Sequence, residues 1–329
     1  IYPPAIGGPA RYAKSLREAF IELGQEVSVL TYGIEKRLPF GIRHVWYLFR
    51  VLWALRNKDV VIALDTVSVG FPAVVASFIL GKRIAVRTGG DFLWESYLEE
   101  RKSKLPLPAF YKFLPRLTFK EKVIMKVHQF LLDYTDYIVF STVWQRDIWA
   151  GFYNINKAKI RQIENCYWPK KPSVSPTKKI FMGSARDIAM KNLSNLKAGF
   201  DLAKAKVPEI ELDLTPYPPE EYEEKLKNCY AFILTSLGDI SPNSIIEAIS
   251  YNKPFILTDY NGISNRLGGA GIIVDPLNVE EIADAIVEMS KPARYKEEVE
   301  KVKKITFVHT YNEIAKEFLT LFNSKKPNV

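Results

Sequence analysis

The chain has 329 residues, 47% of them hydrophobic and 25% charged, with a net charge of +9. That balance describes a folded protein with sizeable cores, long enough for two ordinary domains, and excludes a disordered chain or a small disulfide-stapled scaffold. Cys166 and Cys229 stand far apart, with neither metal nor redox spacing, which points to a reducing compartment. The positive charge predicts attraction to anionic partners (phosphates, nucleic acid or acidic lipid) without choosing among them.

Ile1-Tyr2-Pro3-Pro4 reads as the end of a strand whose earlier part is missing. Gly7-Gly8-Pro9 then opens a helix in which Tyr12, Leu16, Phe20 and Leu23 recur at helical spacing, and Gly24 closes it. Residues 27–31 read as a strand, 45–55 as a basic, aromatic helix, 60–64 as a strand, 71–80 as a helix and 83–88 as a strand. The run 60–80 is strongly apolar, but a membrane span needs about 20 nearly charge-free residues, and Asp65, Gly70 and Pro72 divide this one into strand, turn and helix.

Residues 97–134 interrupt the alternation with basic and aromatic residues together, before a strand at 137–141. The proline-rich run 167–176 is the clearest linker. A second alternation follows: strand 179–183, helix 193–205, strands 210–214, 230–235, 254–258 and 272–274, helix 279–289, and an amphipathic last helix over 311–322 that folds back across the linker. Strands separated by helices predict parallel βαβ units, hence an α/β protein with two Rossmann-like domains facing across a cleft.

The densest chemistry lies in Asp239-Ile240-Ser241-Pro242-Asn243-Ser244-Ile245-Ile246-Glu247, where two carboxylates bracket a helix start. Ser241 suits an N-cap and Pro242 a first helical position. A helix N-terminus after a strand favours an anion such as a diphosphate. An acid among Ile245, Ile246, Ala248 and Ile249 is either paired or ligand-facing, or else stands on the polar side of its helix. Arg186 and Lys191, five apart in a loop after a strand, can neutralise a diphosphate, or can form a solvated charge cluster with Asp187.

In this order, the Pro3-Pro4-x-x-Gly7-Gly8 loop, the Gly183…Arg186-x4-Lys191 segment and the Asp239…Glu247 unit, running on to Lys253-Pro254-Phe255-Ile256-Leu257-Thr258-Asp259, resemble the glycosyltransferases of family 4 over nearly the whole chain. The resemblance implies the GT-B fold, with an acceptor-side domain over 1–168, a nucleotide-sugar domain over 177–307 and a C-terminal helix over 308–329 packing toward the first domain. It implies a retaining transfer of a sugar from a nucleoside-diphosphate donor to a hydroxyl of a glycan or a lipid-linked envelope glycoconjugate. Arg186 and Lys191 would hold the diphosphate, Glu247 the ribose, Asp239 the donor sugar, and the Asn243–Ser244 backbone the phosphates. Gly7 and Gly8 would close over donor diphosphate or acceptor.

Thr88-Gly89-Gly90-Asp91 follows a strand, and the family places a His or Asp in this region near the acceptor. Asp91, with Glu95 beside it, is therefore either a positioning group for the acceptor hydroxyl or an N-cap. The family usually has Glu where Asp239 stands and Gly where Pro242 stands. The shorter side chain reduces reach by roughly 1.5 Å, enough to alter donor choice or impair activity.

No Asp-x-Asp and no Cys/His cluster occurs, so a metal-independent enzyme without a cofactor is expected, in agreement with the family. The interleaved cations and aromatics of 97–134 suit an acidic membrane surface, nucleic acid, or a solvated helix; a membrane surface at the inner face of a cytoplasmic membrane is the expected partner, and nucleic acid is not. Two other classes remain open: a transferase-like domain that binds without catalysis, and an epimerase or glycan phosphorylase on the same fold.

Overall fold

The computed structural model describes Tyr2, residues 7–39 and residues 42–324; Pro3 and Pro4 of the first motif lie outside these. The chain forms two compact units. One comprises Ile1–Leu93, Pro115–Cys166 and His309–Val329, the other Trp94–Leu114 and Tyr167–Val308.

The first unit begins with α1 (Gly8–Glu22), α2 (Ile42–Ala54), β1 (Val60–Ala63), α3 (Gly70–Leu80) and β2 (Arg83–Thr88). From β2 the chain enters α4 (Phe92–Arg101) and α5 (Leu107–Phe113), which group with the second unit from Trp94 onward. The first unit resumes with α6 (Phe119–Tyr134), β3 (Tyr137–Phe140), α7 (Val143–Phe152) and β4 (Ile160–Gln162). Its four strands lie in the order β1-β2-β3-β4, all parallel.

Residues 27–31 form no strand. Two of their carbonyls accept from side chains instead of a ladder, Leu30 from the Tyr47 hydroxyl and Thr31 from Arg50, each at 3.3 Å. Alternating hydropathy without a neighbouring strand is not sufficient for β structure.

The second unit continues with β5 (Lys179–Gly183), α8 (Leu193–Lys206), β6 (Ile210–Asp213), α9 (Pro219–Asn228), β7 (Ala231–Leu234), α10 (Asn243–Ser250), β8 (Phe255–Thr258), β9 (Ile272–Val274), α11 (Val279–Ser290) and α12 (Pro292–Lys303). The strand order is β6-β5-β7-β8-β9, again all parallel. Successive strand residues face opposite ways, so Phe181, Ile233 and Ile256 pack with Leu196, Phe200 and Ile286 of α8 and α11. Met182, Phe232, Phe255 and Leu257 pack instead with Leu226, Ile245, Ile249 and Val302 of α9, α10 and α12. Both faces are therefore covered, which is why the strands read as unbroken apolar runs.

The last helix, α13 (Tyr311–Asn323), belongs to the first unit, where Tyr311 meets Tyr12 edge-on at 5.6 Å and Phe318 lies 6.5 Å from Phe20. Among the described residues no helix is long and apolar enough to cross a membrane.

α6 is fixed at its start by a reciprocal Thr118–Glu121 capping box and carries His128 into the core. The imidazole lies 3.1 Å from the Thr66 hydroxyl and 3.0 Å from that of Tyr153, beside the Trp149 ring. Burial pushes its pKa down to about 3, against an ordinary 6.5. The unfolded chain thus binds more protons than the folded one between these values, and stability falls on acidification through that window by up to about 1.4 kcal/mol per pH unit. His128→Gln should flatten this dependence in denaturant titrations run from neutral pH toward about pH 5. A slope equal to that of the wild type would show that His128 does not produce it.

Candidate active site

In the second sheet the strand order reverses between β5 and β7, and ligands of open parallel sheets bind outside the carboxyl ends of strands at such a point. The loops leaving β5 and β7 are those that carry Arg186, Lys191 and Asp239.

After Gly183 the chain makes an exposed loop through Arg186 and then a 3₁₀ turn, Ala189–Lys191, which turns Lys191 inward. Asn192 follows at φ 52°, a left-handed conformation that asparagine tolerates better than most residues. Its amide donates to the carbonyls of Thr235 and Pro276, and Asn195 also donates to Pro276. Leu237 N–H closes the contact by donating to Met190 at 2.8 Å. Asp239 is fixed from the other side, its N–H donating to Tyr260 and its carbonyl accepting from Gly262.

These anchors bring the Lys191 ammonium to 2.6 Å from Asp239 Oδ2, with both residues buried. On the same two loops, Asn192 Oδ1 after β5 and Thr235 Oγ1, Ser236 Oγ and Ser241 Oγ after β7 are buried without a hydrogen-bond partner among the described residues. Buried oxygens in native folds are normally satisfied, so four of them on the two loops that hold the ion pair suit a polar ligand.

Sequence reading placed the start of α10 slightly too early. Pro242 is the N-cap rather than the first helical residue, and Ser241 makes no cap bond. Pro242 has no side-chain acceptor to offer and makes no side-chain cap bond to the start of α10. Glu247 is partly buried four residues into the helix, about 6 Å along its axis from Asn243.

The second unit therefore brings Lys191 and Asp239 into contact on elements that also carry Arg186, Asn243, Ser244 and Glu247. Arg186 is exposed and forms no side-chain hydrogen bond with the described residues.

Segment 94–114 contributes contacts that no motif signalled. Glu99 accepts the Ala189 N–H at 2.6 Å, Leu107 N–H donates to Leu237, and Lys104 bonds Asn195. The Ala189 N–H bond, followed by Lys102, holds the Glu99 carboxyl below its ordinary range. Gly238 lies so close to this segment that a Cβ would come 2.9 Å from Leu107 Cβ and 3.0 Å from the Trp94 ring.

The remaining expected residues lie in the first unit. Gly7 is the N-cap of α1 at φ 133°, a conformation that favours glycine, and Gly8 begins the helix. Asp91 immediately precedes α4, is fully buried and accepts the Trp149 indole N–H at 2.8 Å. Of segment 97–134, Phe110, Tyr111 and Leu117 are core residues, whereas Phe113 and Phe119 stay exposed.

Residues 182–291, the span containing both ends of the ion pair, match the family model for glycosyl transferases group 1. A sucrose-phosphate synthase from Thermosynechococcus elongatus superposes with a TM-score of 0.69 at 13% identity, over 96% of this chain and 93% of that one. The chain has the GT-B fold, and its stretch 182–291 is similar to the group 1 glycosyl transferases. Anabaena HepE, solved in complex with UDP and glucose, superposes with a TM-score of 0.66 at 11% identity, over 99% and 98% of the two chains. A glycosyltransferase from Rickettsia africae gives 0.61 at 11% identity, over 97% and 95%. No curated protein is a detectable relative in sequence.

Breaking a buried pair by removing one partner costs about 3–5 kcal/mol, because the other charge is left uncompensated. Lys191→Met should therefore lower the unfolding free energy by about 3 kcal/mol, and Lys191→Met with Asp239→Leu should recover most of it. Equal stabilities for the single variant and the wild type would mean that the pair is solvated rather than buried.

Proposed function

We propose that the protein is a retaining, metal-independent glycosyltransferase of the family 4 type that moves a sugar from a nucleoside-diphosphate donor to a hydroxyl acceptor. The observation that carries this reading is the buried Lys191–Asp239 pair at the switch point of the sheet, within the stretch similar to the group 1 glycosyl transferases. UDP and glucose, bound in the Anabaena protein of the same fold, supply the first donor to test.

In this reading Arg186 and Lys191 offset the charge that grows on the departing diphosphate as its bond to the anomeric carbon breaks. The first amides of α10 add their dipoles. Lys191 occupies Asp239 Oδ2, which leaves Oδ1 for hydroxyls of the donor sugar. Glu247 accepts from the ribose hydroxyls. Gly7 and Gly8 close over donor diphosphate or acceptor, because glycine allows close backbone approach. Asp91, fully buried against the Trp149 indole, positions the acceptor hydroxyl through the residues that cover it; the acceptor oxygen forms the new glycosidic bond while its proton leaves toward the diphosphate. A glycan or lipid-linked envelope glycoconjugate at the inner face of a cytoplasmic membrane is the proposed acceptor.

Arg186 gives the cleaner test than Lys191, because its side chain is exposed and its removal leaves the core intact. Arg186→Ala should cut donor turnover about 10²–10³-fold, as loss of a single transition-state donor does, with the unfolding midpoint unchanged. Turnover within about twofold of wild type would remove Arg186 from the diphosphate site.

A further inference from the structure

Helix α2 buries Tyr47 and Val51 on one side. On the opposite side it exposes Ile42 (59%), Val45 (55%), Trp46 (53%), Phe49 (62%) and Trp53 (75%). At about 100° per residue these five fall within an arc of about 100°, centred roughly 180° from the buried pair. The face that a surface helix normally gives to charged residues is here the most apolar part of it. Two tryptophans and a phenylalanine also lie along a single stripe.

The charge around the stripe is predominantly basic, with Glu35 paired to Arg50 and Glu26 to Lys58. Every charged residue from position 36 to position 58 is Lys or Arg, six in all: Lys36, Arg37, Arg43, Arg50, Arg56 and Lys58. Arg43 and Arg50 are two turns apart on one flank of the stripe, Arg50 also reaching Glu35, while Arg37 and Arg56 are exposed.

We propose that α2 docks on the surface of an acidic phospholipid bilayer, with Trp46, Phe49 and Trp53 in the interfacial layer and the flanking cations against lipid phosphates. Amphipathic indole rings favour that boundary, and cations beside them gain from the surface potential of anionic lipid. A second copy of the chain fits less well. A two-fold dimer through this face would set a stripe with a net positive border against its own image, so an excess of like charge would meet. The proposal keeps the acidic membrane as partner but puts its footprint on α2, because in segment 97–134 Tyr97, Phe110 and Tyr111 are in the core and the exposed Phe113, Phe119 and Tyr134 are spread over two helices instead of one stripe. It does not depend on the transfer chemistry.

Co-sedimentation with vesicles tests it, using phosphatidylcholine alone and phosphatidylcholine mixed with phosphatidylglycerol. The chain should bind the mixed vesicles, more weakly as salt is raised, and ignore the neutral ones. Trp46→Ser with Trp53→Ser should weaken binding about tenfold or more, with the unfolding midpoint unchanged because both rings are exposed. Trp53→Gln alone should weaken it in the same direction, which keeps the test open if the double variant is unstable. Phe119→Ser, at an 85% exposed position within segment 97–134, should bind as wild type does. Indifference of the wild type to acidic vesicles would overturn the proposal, as would unchanged binding by both tryptophan variants. So would a solution dimer that the tryptophan substitutions dissociate in a chain that ignores lipid.

Discussion

The contact between the Lys191 ammonium and the Asp239 carboxylate sets the terms for the second unit. Two charges 2.6 Å apart and largely removed from water are tolerated only if each stays paired and the backbone around them cannot relax. The loops after β5, β7 and β8 supply that rigidity by bonding to one another: Leu237 to Met190, Asn192 to Thr235, and Asp239 to Tyr260 and Gly262. A pair held in this way is preorganised. Its dipole is fixed before any ligand arrives, and fixed polar groups are what a charged leaving group requires.

The second sheet explains why these loops meet at all. Apolar strands covered on both faces have no freedom to slide, and reversal of the strand order between β5 and β7 sets two consecutive loop systems at one end of the sheet. Segment 94–114 then packs against those loops, with Trp94 and Leu107 on the one glycine, Gly238, whose missing Cβ leaves room for them. Glu99, bonded to the Ala189 N–H, ties the same segment to the turn that presents Lys191. Rigidity at the ion pair is thus contributed by a segment far away in sequence.

Much of this was legible in the residues. Apolar runs such as 179–183 and 255–258 are strands because nothing but a covered parallel sheet accommodates them, and Arg186, Lys191, Asp239 and Glu247 fall on one unit because the βαβ rhythm puts their loops at one sheet end. Other features were not legible. The pairing of Lys191 with Asp239 spans 48 positions and depends on loop-to-loop hydrogen bonds that carry no local pattern. Residues 27–31 have the alternation of a strand but make no ladder. Pro242 could be an N-cap or a first helical residue on sequence alone, and only the backbone decides. Segment 97–134 divides between core (Phe110, Tyr111, Leu117) and surface (Phe113, Phe119, Tyr134) with no local pattern to announce it, and the stripe on α2 shows itself only once the buried side of that helix is known.

The proposed function requires that the carboxyl end of the second sheet bind a nucleoside-diphosphate sugar. The most direct measurement is the thermal unfolding midpoint against a panel of such donors, UDP-glucose first, with Glu247→Ala alongside. A true donor at about 100 times its dissociation constant stabilises the wild type by roughly 2.7 kcal/mol and raises its midpoint, with a much smaller rise in the variant. An unmoved midpoint with every donor, or an equal rise in both proteins, would contradict the account.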